Sequence, residues 1–276
     1  EDALEVDAWA RELVRDAALP ANDVSEQKPP RKRSALWSRY ALGGALAASL
    51  IGVLLWSNVP RGADVTEIIT GPGELRTVEL ADGSTLVVNG NSRLTYNEGA
   101  PRLVTLDRGE ALFDVHRDDT TPFVVMVGET RLVEAGTVFN VAADAGALDV
   151  SVAEGAVVYG HGAEEVRLEP GDRLLRPAPS AGVEILRADP GEVGGWRKGV
   201  LQYDNADLSS VARDLSRALS KPVRALAGAE RMRYTGTLAV NGPDHEVMAR
   251  AGALLGVRVT ETEEMWEMRP GDASPP

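Results

Sequence analysis

Few residue types in this chain could do chemistry, and their spacing keeps them apart. The three histidines are His116, His161 and His245, with no HxxxH or HExxH pair among them. A metal site needs several donors converging on one point, so no metal site and no cofactor is expected. The chain has no cysteine, which excludes thiolate ligands, disulfides and cysteine nucleophiles. The carboxylate pairs Asp118-Asp119, Glu164-Glu165 and Glu263-Glu264 fall in stretches that read as loops or strand ends, where solvated turns explain them better than acid–base work. There is no G-x-S-x-G, Walker A or G-x-G-x-x-G motif. The residues themselves therefore do not spell an enzyme. They point to recognition. Val6, Trp9, Ala10, Leu13, Val14 and Ala17 recur at spacings of three and four until Pro20, which predicts an amphipathic helix. One short helix cannot bury its own apolar stripe and is marginal alone in water. Val6, Trp9 and Leu13 are thus read as partner-binding residues that fit a protein groove.

The distribution of charge orients the rest. The net charge is −13, and a mildly acidic chain lacks the positive surface that displaces counterions from nucleic acid, so direct nucleic-acid binding is not expected. Lys28, Arg31, Lys32, Arg33 and Arg39 form a basic cluster just before Tyr40–Trp56, a run with no charged residue. With its flanks, residues 36–59, that run reaches the roughly 30 Å of a bilayer core. Trp37, Tyr40 and Trp56 sit where interfacial aromatics belong, and the basic flank places the N-terminus in the cytoplasm. A single-pass membrane protein is predicted, with residues 1–35 as cytoplasmic head and linker. Gly44, Ala48 and Gly52 make a small-xxx-small face that could support weak homodimerisation.

Beyond the membrane segment the grammar is that of short strands. Thr77–Leu80 and Thr85–Val88 flank Asp82-Gly83, a hairpin signal. Leu103–Leu106 and Ala111–Val115 flank Asp107-Arg108-Gly109, read here as a second turn. Phe123–Val127, Arg131–Glu134, Val138–Val141, Leu148–Ala153 and Ala156–Tyr159 follow, mostly with period-two alternation. This predicts a mainly β domain over 60–178, a sandwich or β-roll. Residues 179–198 read as a Gly/Pro/Ala-rich connector. A small α+β module follows over 199–270. It has a strand at Val200–Tyr203, a helix carrying Leu208, Val211, Ala212, Leu215 and Leu219 with Asp207 as N-cap, and a strand at Arg233–Val240. A second helix capped by Asp244 follows, with closing strands at Arg258–Thr260 and Trp266–Met268. Residues 271–276 form a tail.

The stretch Leu80-Ala81-Asp82-Gly83-Ser84-Thr85-Leu86 with Asn91-Ser92 resembles the FecR family of transmembrane anti-sigma regulators. So do Leu106–Val115, Pro122-Phe123, Gly136–Val141 and Val152–Val157, in the family's order and spacing. Trp196, Gly199 and Leu201–Leu208 resemble the family's C-terminal module, similar to the short domain of secretins and TonB-dependent receptors. The resemblance implies an inner-membrane protein with its bulk in the periplasm. Its head would bind an extracytoplasmic-function sigma factor. Its outer part would sense the signalling domain of an outer-membrane TonB-dependent receptor, with iron chelates the family's common cue. It also implies a self-cleavage site at Gly136-Thr137. There the Thr137 hydroxyl would attack the Gly136 carbonyl, and the base would be sought among Glu134, His116 and His161. The head is shorter than in most of the family, which leaves a second reading: a membrane-anchored envelope binding or scaffold protein without sigma-factor regulation.

Overall fold

The computed structural model describes residues 65–160 and 165–271. The Val6, Trp9 and Leu13 stripe, the apolar segment with Gly44, Ala48 and Gly52, and His161 lie outside the described residues. Among the described residues no helix is long and apolar enough to cross a membrane.

Thirteen strands come first: β1 (Val65–Ile69), β2 (Arg76–Glu79), β3 (Thr85–Val88), β4 (Arg93–Asn97), β5 (Ala100–Asp114), β6 (Phe123–Val127), β7 (Thr130–Glu134), β8 (Val138–Asp144), β9 (Ala147–Glu154), β10 (Val157–Tyr159), β11 (Val166–Leu168), β12 (Asp172–Arg176) and β13 (Glu184–Arg187). They pair in two series that share β5. One runs β1-β4-β5-β6-β7-β10-β11 and the other β2-β3-β5-β8-β9-β12-β13. All these pairings are antiparallel except β5 with β6, where Leu103 faces Val124 in parallel register. Period-two patterning does the sorting. Along β9, Leu148, Val150 and Val152 are buried while their neighbours are not, because alternate side chains leave a strand on opposite faces. The inward residues of both series meet in one core. Its centre is Phe113, stacked on Phe139 with ring centroids 5.0 Å apart and edge-on to Phe123 at 6.3 Å.

The expected turn at Asp107-Arg108-Gly109 is not a turn. β5 runs unbroken through it for 15 residues. Opposite it the register steps from Arg93↔Arg108 to Leu94↔Leu106, a bulge at Asp107 that bends the strand from one series into the other. Gly109 sits at φ 95°, and a Cβ there would lie 2.4 Å from the Ser92 Cα. The glycine serves a close crossing of two backbones rather than a chain reversal.

The stretch read as a connector is more ordered than its composition suggests. It holds β13 as an edge strand on β12 and 3-10 turns at Pro190–Glu192 and Gly195–Lys198. Then come β14 (Val200–Asp207), α1 (Leu208–Ala218), β15 (Val223–Ala225), β16 (Arg233–Ala239), α2 (Asp244–Leu255), β17 (Val257–Glu261) and β18 (Trp266–Pro270). β14 pairs antiparallel with β16, β15 pairs parallel with β18, and β17 pairs antiparallel with β18. Asp207 caps α1 as expected, accepting a bond from the Ser210 N–H at 2.9 Å. Asp244 does not cap α2. The N-cap position is Pro243, and the Asp244 carboxylate, inside the first turn, accepts the Ser220 N–H at 3.0 Å instead. Leu201, Tyr203, Leu208, Val211 and Leu215 are buried in a second core with Val247, Met248, Ala251, Leu255 and Trp266.

Candidate functional site

Gly136 and Thr137 lie between β7 and β8. Gly136 has φ 147°, and an added Cβ would come within 2.7 Å of the Arg117 side chain, so only glycine fits this conformation and approach. Thr137 is 3% exposed, and its hydroxyl donates to the Ala156 carbonyl at 3.2 Å. Gly155 closes over the same peptide. A Cβ built there would lie 2.6 Å from the Gly136 carbonyl oxygen and 2.8 Å from Thr137 Oγ1, so these two oxygens share one small space.

Of the three bases considered, the fold brings Glu134 to this peptide. Its Oε2 accepts the Gly136 N–H at 2.5 Å, while Oε1 is buried with no protein partner. Burial pushes the Glu134 carboxyl up. The Gly136 N–H and the nearby Thr137 hydroxyl pull the other way, as does the positive charge of Arg102. His116 is exposed beside Gly83, and His245 is exposed at the start of α2. Among the described residues, no group of three or more His, Asp and Glu side chains could hold a metal ion.

Arg102 was not singled out in the sequence. It pairs with Asp82 at 2.7 Å, both side chains nearly buried, and its guanidinium lies 5.6 Å from the centre of the Phe123 ring. Asp82 also accepts the Ser84 N–H and hydroxyl, and Ser84 Oγ in turn accepts the His116 N–H at 3.1 Å. The Asp-Gly hairpin therefore does more than reverse the chain: it anchors Arg102, whose positive charge acts on Glu134.

A second polar cluster joins the β domain to the C-terminal module. Glu110 of β5 accepts bonds from Asn89 Nδ2 at 2.8 Å, Asn140 Nδ2 at 2.9 Å and Arg217 Nε at 3.0 Å. Asn140 Oδ1 accepts the Trp196 indole N–H at 2.9 Å. Arg217 also pairs with Asp214. Beside these groups lies a cavity of about 420 Å³ lined by both parts, with Asp149, Arg173, Tyr203 and Gly236 among its walls. Glu110 lies on the face of β5 opposite Ala111 and Phe113, the face it shares with Leu112, which packs into the module's core, and period-two alternation alone reads that face as outward.

Residues 66–158 match the FecR protein family. Two crystal structures of a candidate anti-sigma factor from Parabacteroides distasonis ATCC 8503, at 2.50 and 1.65 Å resolution, have the same fold. For each the TM-score is 0.68 at 25% identity, covering 75% of this chain and 100% of that one. Three quarters of the chain exceeds the stretch from β1 to β13, so the likeness takes in the C-terminal module. No curated protein matches the chain. The family match thus falls on the strands that hold the Asp82 hairpin, the crossing of β5 and the Gly136-Thr137 peptide, and over residues 66–158 the chain is similar to the FecR protein family.

Proposed function

We propose that this protein is an anti-sigma regulator that carries a signal across the inner membrane. Residues 1–35 bind an extracytoplasmic-function sigma factor, residues 36–59 span the membrane, and the outer part meets the signalling domain of a TonB-dependent receptor. The observation that carries the reading is the FecR similarity joined to a fold shared with a candidate anti-sigma factor. The charge-free segment Tyr40–Trp56 and the apolar stripe before it support the topology. The test is capture of a sigma factor from a cytoplasmic extract by the full chain and by its Trp9→Ala variant. A buried aromatic anchor is worth about 2 kcal/mol or more, so the substitution is expected to weaken capture roughly 30-fold or more. Equal recovery by both chains shows that Trp9 is not the anchor, and recovery by neither sinks the reading in favour of an envelope scaffold.

The geometry at Gly136-Thr137 favours one addition, self-cleavage as the step that releases the signal. The Thr137 oxygen attacks the Gly136 carbonyl carbon, and the peptide C–N bond breaks as a Gly136–Thr137 ester forms. The hydroxyl proton passes through Glu134 to the leaving amine, and water then hydrolyses the ester. Mass spectrometry of the purified chain is expected to find two fragments meeting at Gly136/Thr137. Thr137→Ala should abolish them, Thr137→Ser should retain them in part, and Glu134→Gln should slow their appearance. A chain that stays whole in every preparation leaves Thr137 a buried residue of the β7–β8 connection with a structural role alone.

A further inference from the structure

We propose that the contact between Glu110 and Arg217 is a releasable latch, with one state of the molecule docking the C-terminal module on the β domain and another freeing it to swing about residues 194–199. The β domain core and the module core are separate clusters. Of the β domain's described apolar side chains, only Leu112, with Val87 and Val138 at its edge, packs into the module's core. The remaining junction is polar. The last carbonyls of α1, left without partners inside the helix, are satisfied from the β domain. The Gly73 N–H donates to the Arg217 carbonyl at 3.0 Å, and Asn91 Nδ2 donates to the Ser216 carbonyl at 2.6 Å. The Arg217 side chain, 9% exposed, reaches Glu110 from the same turn.

Such a junction opens as a unit. Losing Arg217 leaves Glu110 charged among buried groups, so intermediate separations are disfavoured and two discrete states remain. The cavity alongside gives water a route to both ions, which lowers the cost of complete release. Undocking also uncovers Leu112, Val87 and Val138, giving the β domain an apolar patch that the docked state hides.

Acid should tighten the latch. Asp214 faces Arg217 on its own helix, Glu110 on β5, Asp149 on β9 and Tyr203 on β14, and Arg173 of β12 stands behind Asp149. Burial among these carboxylates outweighs the pull of Arg217 and pushes Asp214 from 3.8 up to about 6. A carboxyl raised in the docked state binds its proton more tightly there. Docking is therefore favoured below about pH 6 and loses that contribution as pH rises through it. Between pH 7 and pH 5 the docking equilibrium should shift on the order of 10-fold.

The chain's lack of cysteine allows spin labels at two exposed positions, Glu129→Cys on the β domain and Glu263→Cys on the module. Distance distributions in the full chain should show one dominant separation at pH 5 and gain a second, longer population at pH 7.5. Arg217→Met and Glu110→Gln should enlarge the longer population at both values. Asn91→Gly removes one bond to α1 without touching a buried charge or the positive φ of Asn91, and should shift it less. A single unchanged separation in all three variants overturns the latch, as does a longer population that grows on acidification. If either charge variant fails to fold, Asn91→Gly and the pH series on the labelled parent chain still decide.

Discussion

Phe113→Ala is expected to cost about 3–5 kcal/mol, a large part of the 5–15 kcal/mol that holds a typical domain folded. Phe113 is 0% exposed at the centre of the β domain. It lies on β5, the strand common to both pairing series, and contacts the rings of Phe139 on β8 and Phe123 on β6. Aromatic pairs of this geometry add to the area they bury, and here both series lose a contact at once. The alanine cavity cannot collapse easily, because strand pairing holds its walls apart. Urea unfolding should show a midpoint lowered with little change in slope. A loss under about 1 kcal/mol would mean that the two series do not depend on this residue.

Gly109→Ala should destabilise by about 2–5 kcal/mol, combining a positive φ that side chains resist with overpacking against a fixed neighbour. The neighbour is backbone. The added carbon would meet the Ser92 Cα at 2.4 Å and its hydroxyl at 2.2 Å. Ser92 cannot retreat, because its carbonyl accepts the Thr70 N–H at 3.0 Å and its hydroxyl accepts the Glu110 N–H at 2.9 Å. Glu110 is the next residue, so the spin-label distances should also shift toward the longer population. Thermal melting of Gly109→Ala beside Gly146→Ala separates crossing from conformation. Gly146 also has positive φ, but its crowding comes from the Pro179 ring rather than from a paired strand. Similar losses in both variants would show that backbone conformation alone sets the cost.

The strand and helix plan was legible because it rests on local patterns. Alternation along β9, the Asp82-Gly83 hairpin and the Asp207 cap each need only a few neighbouring residues to specify them. The misread turn at Asp107-Arg108-Gly109 shows where locality ends. The same residues suit a hairpin or a bulged crossing, and what decides is the pairing of β5 with β4 on one side of the bulge and with β3 and β8 on the other. Asp244 repeats the lesson. Its type suits a cap, but Ser220, 24 positions earlier in the chain, offers its carboxylate a better placed donor.

By itself the sequence determined a mainly β chain with a small α+β module, an apolar segment of membrane-spanning length near one end, and a Gly-Thr peptide with Glu134 two residues before the glycine. These follow from composition, periodicity and short motifs, which act through neighbours on the chain. Only the tertiary structure decided that Glu134 turns back onto Gly136 while His116 stays exposed, and that Arg102 joins Asp82. It alone brought Glu110 and Arg217, 107 positions apart, into one buried pair. Buried charges need partners in space, and sequence spacing sets no distance between strands that the fold alone brings together.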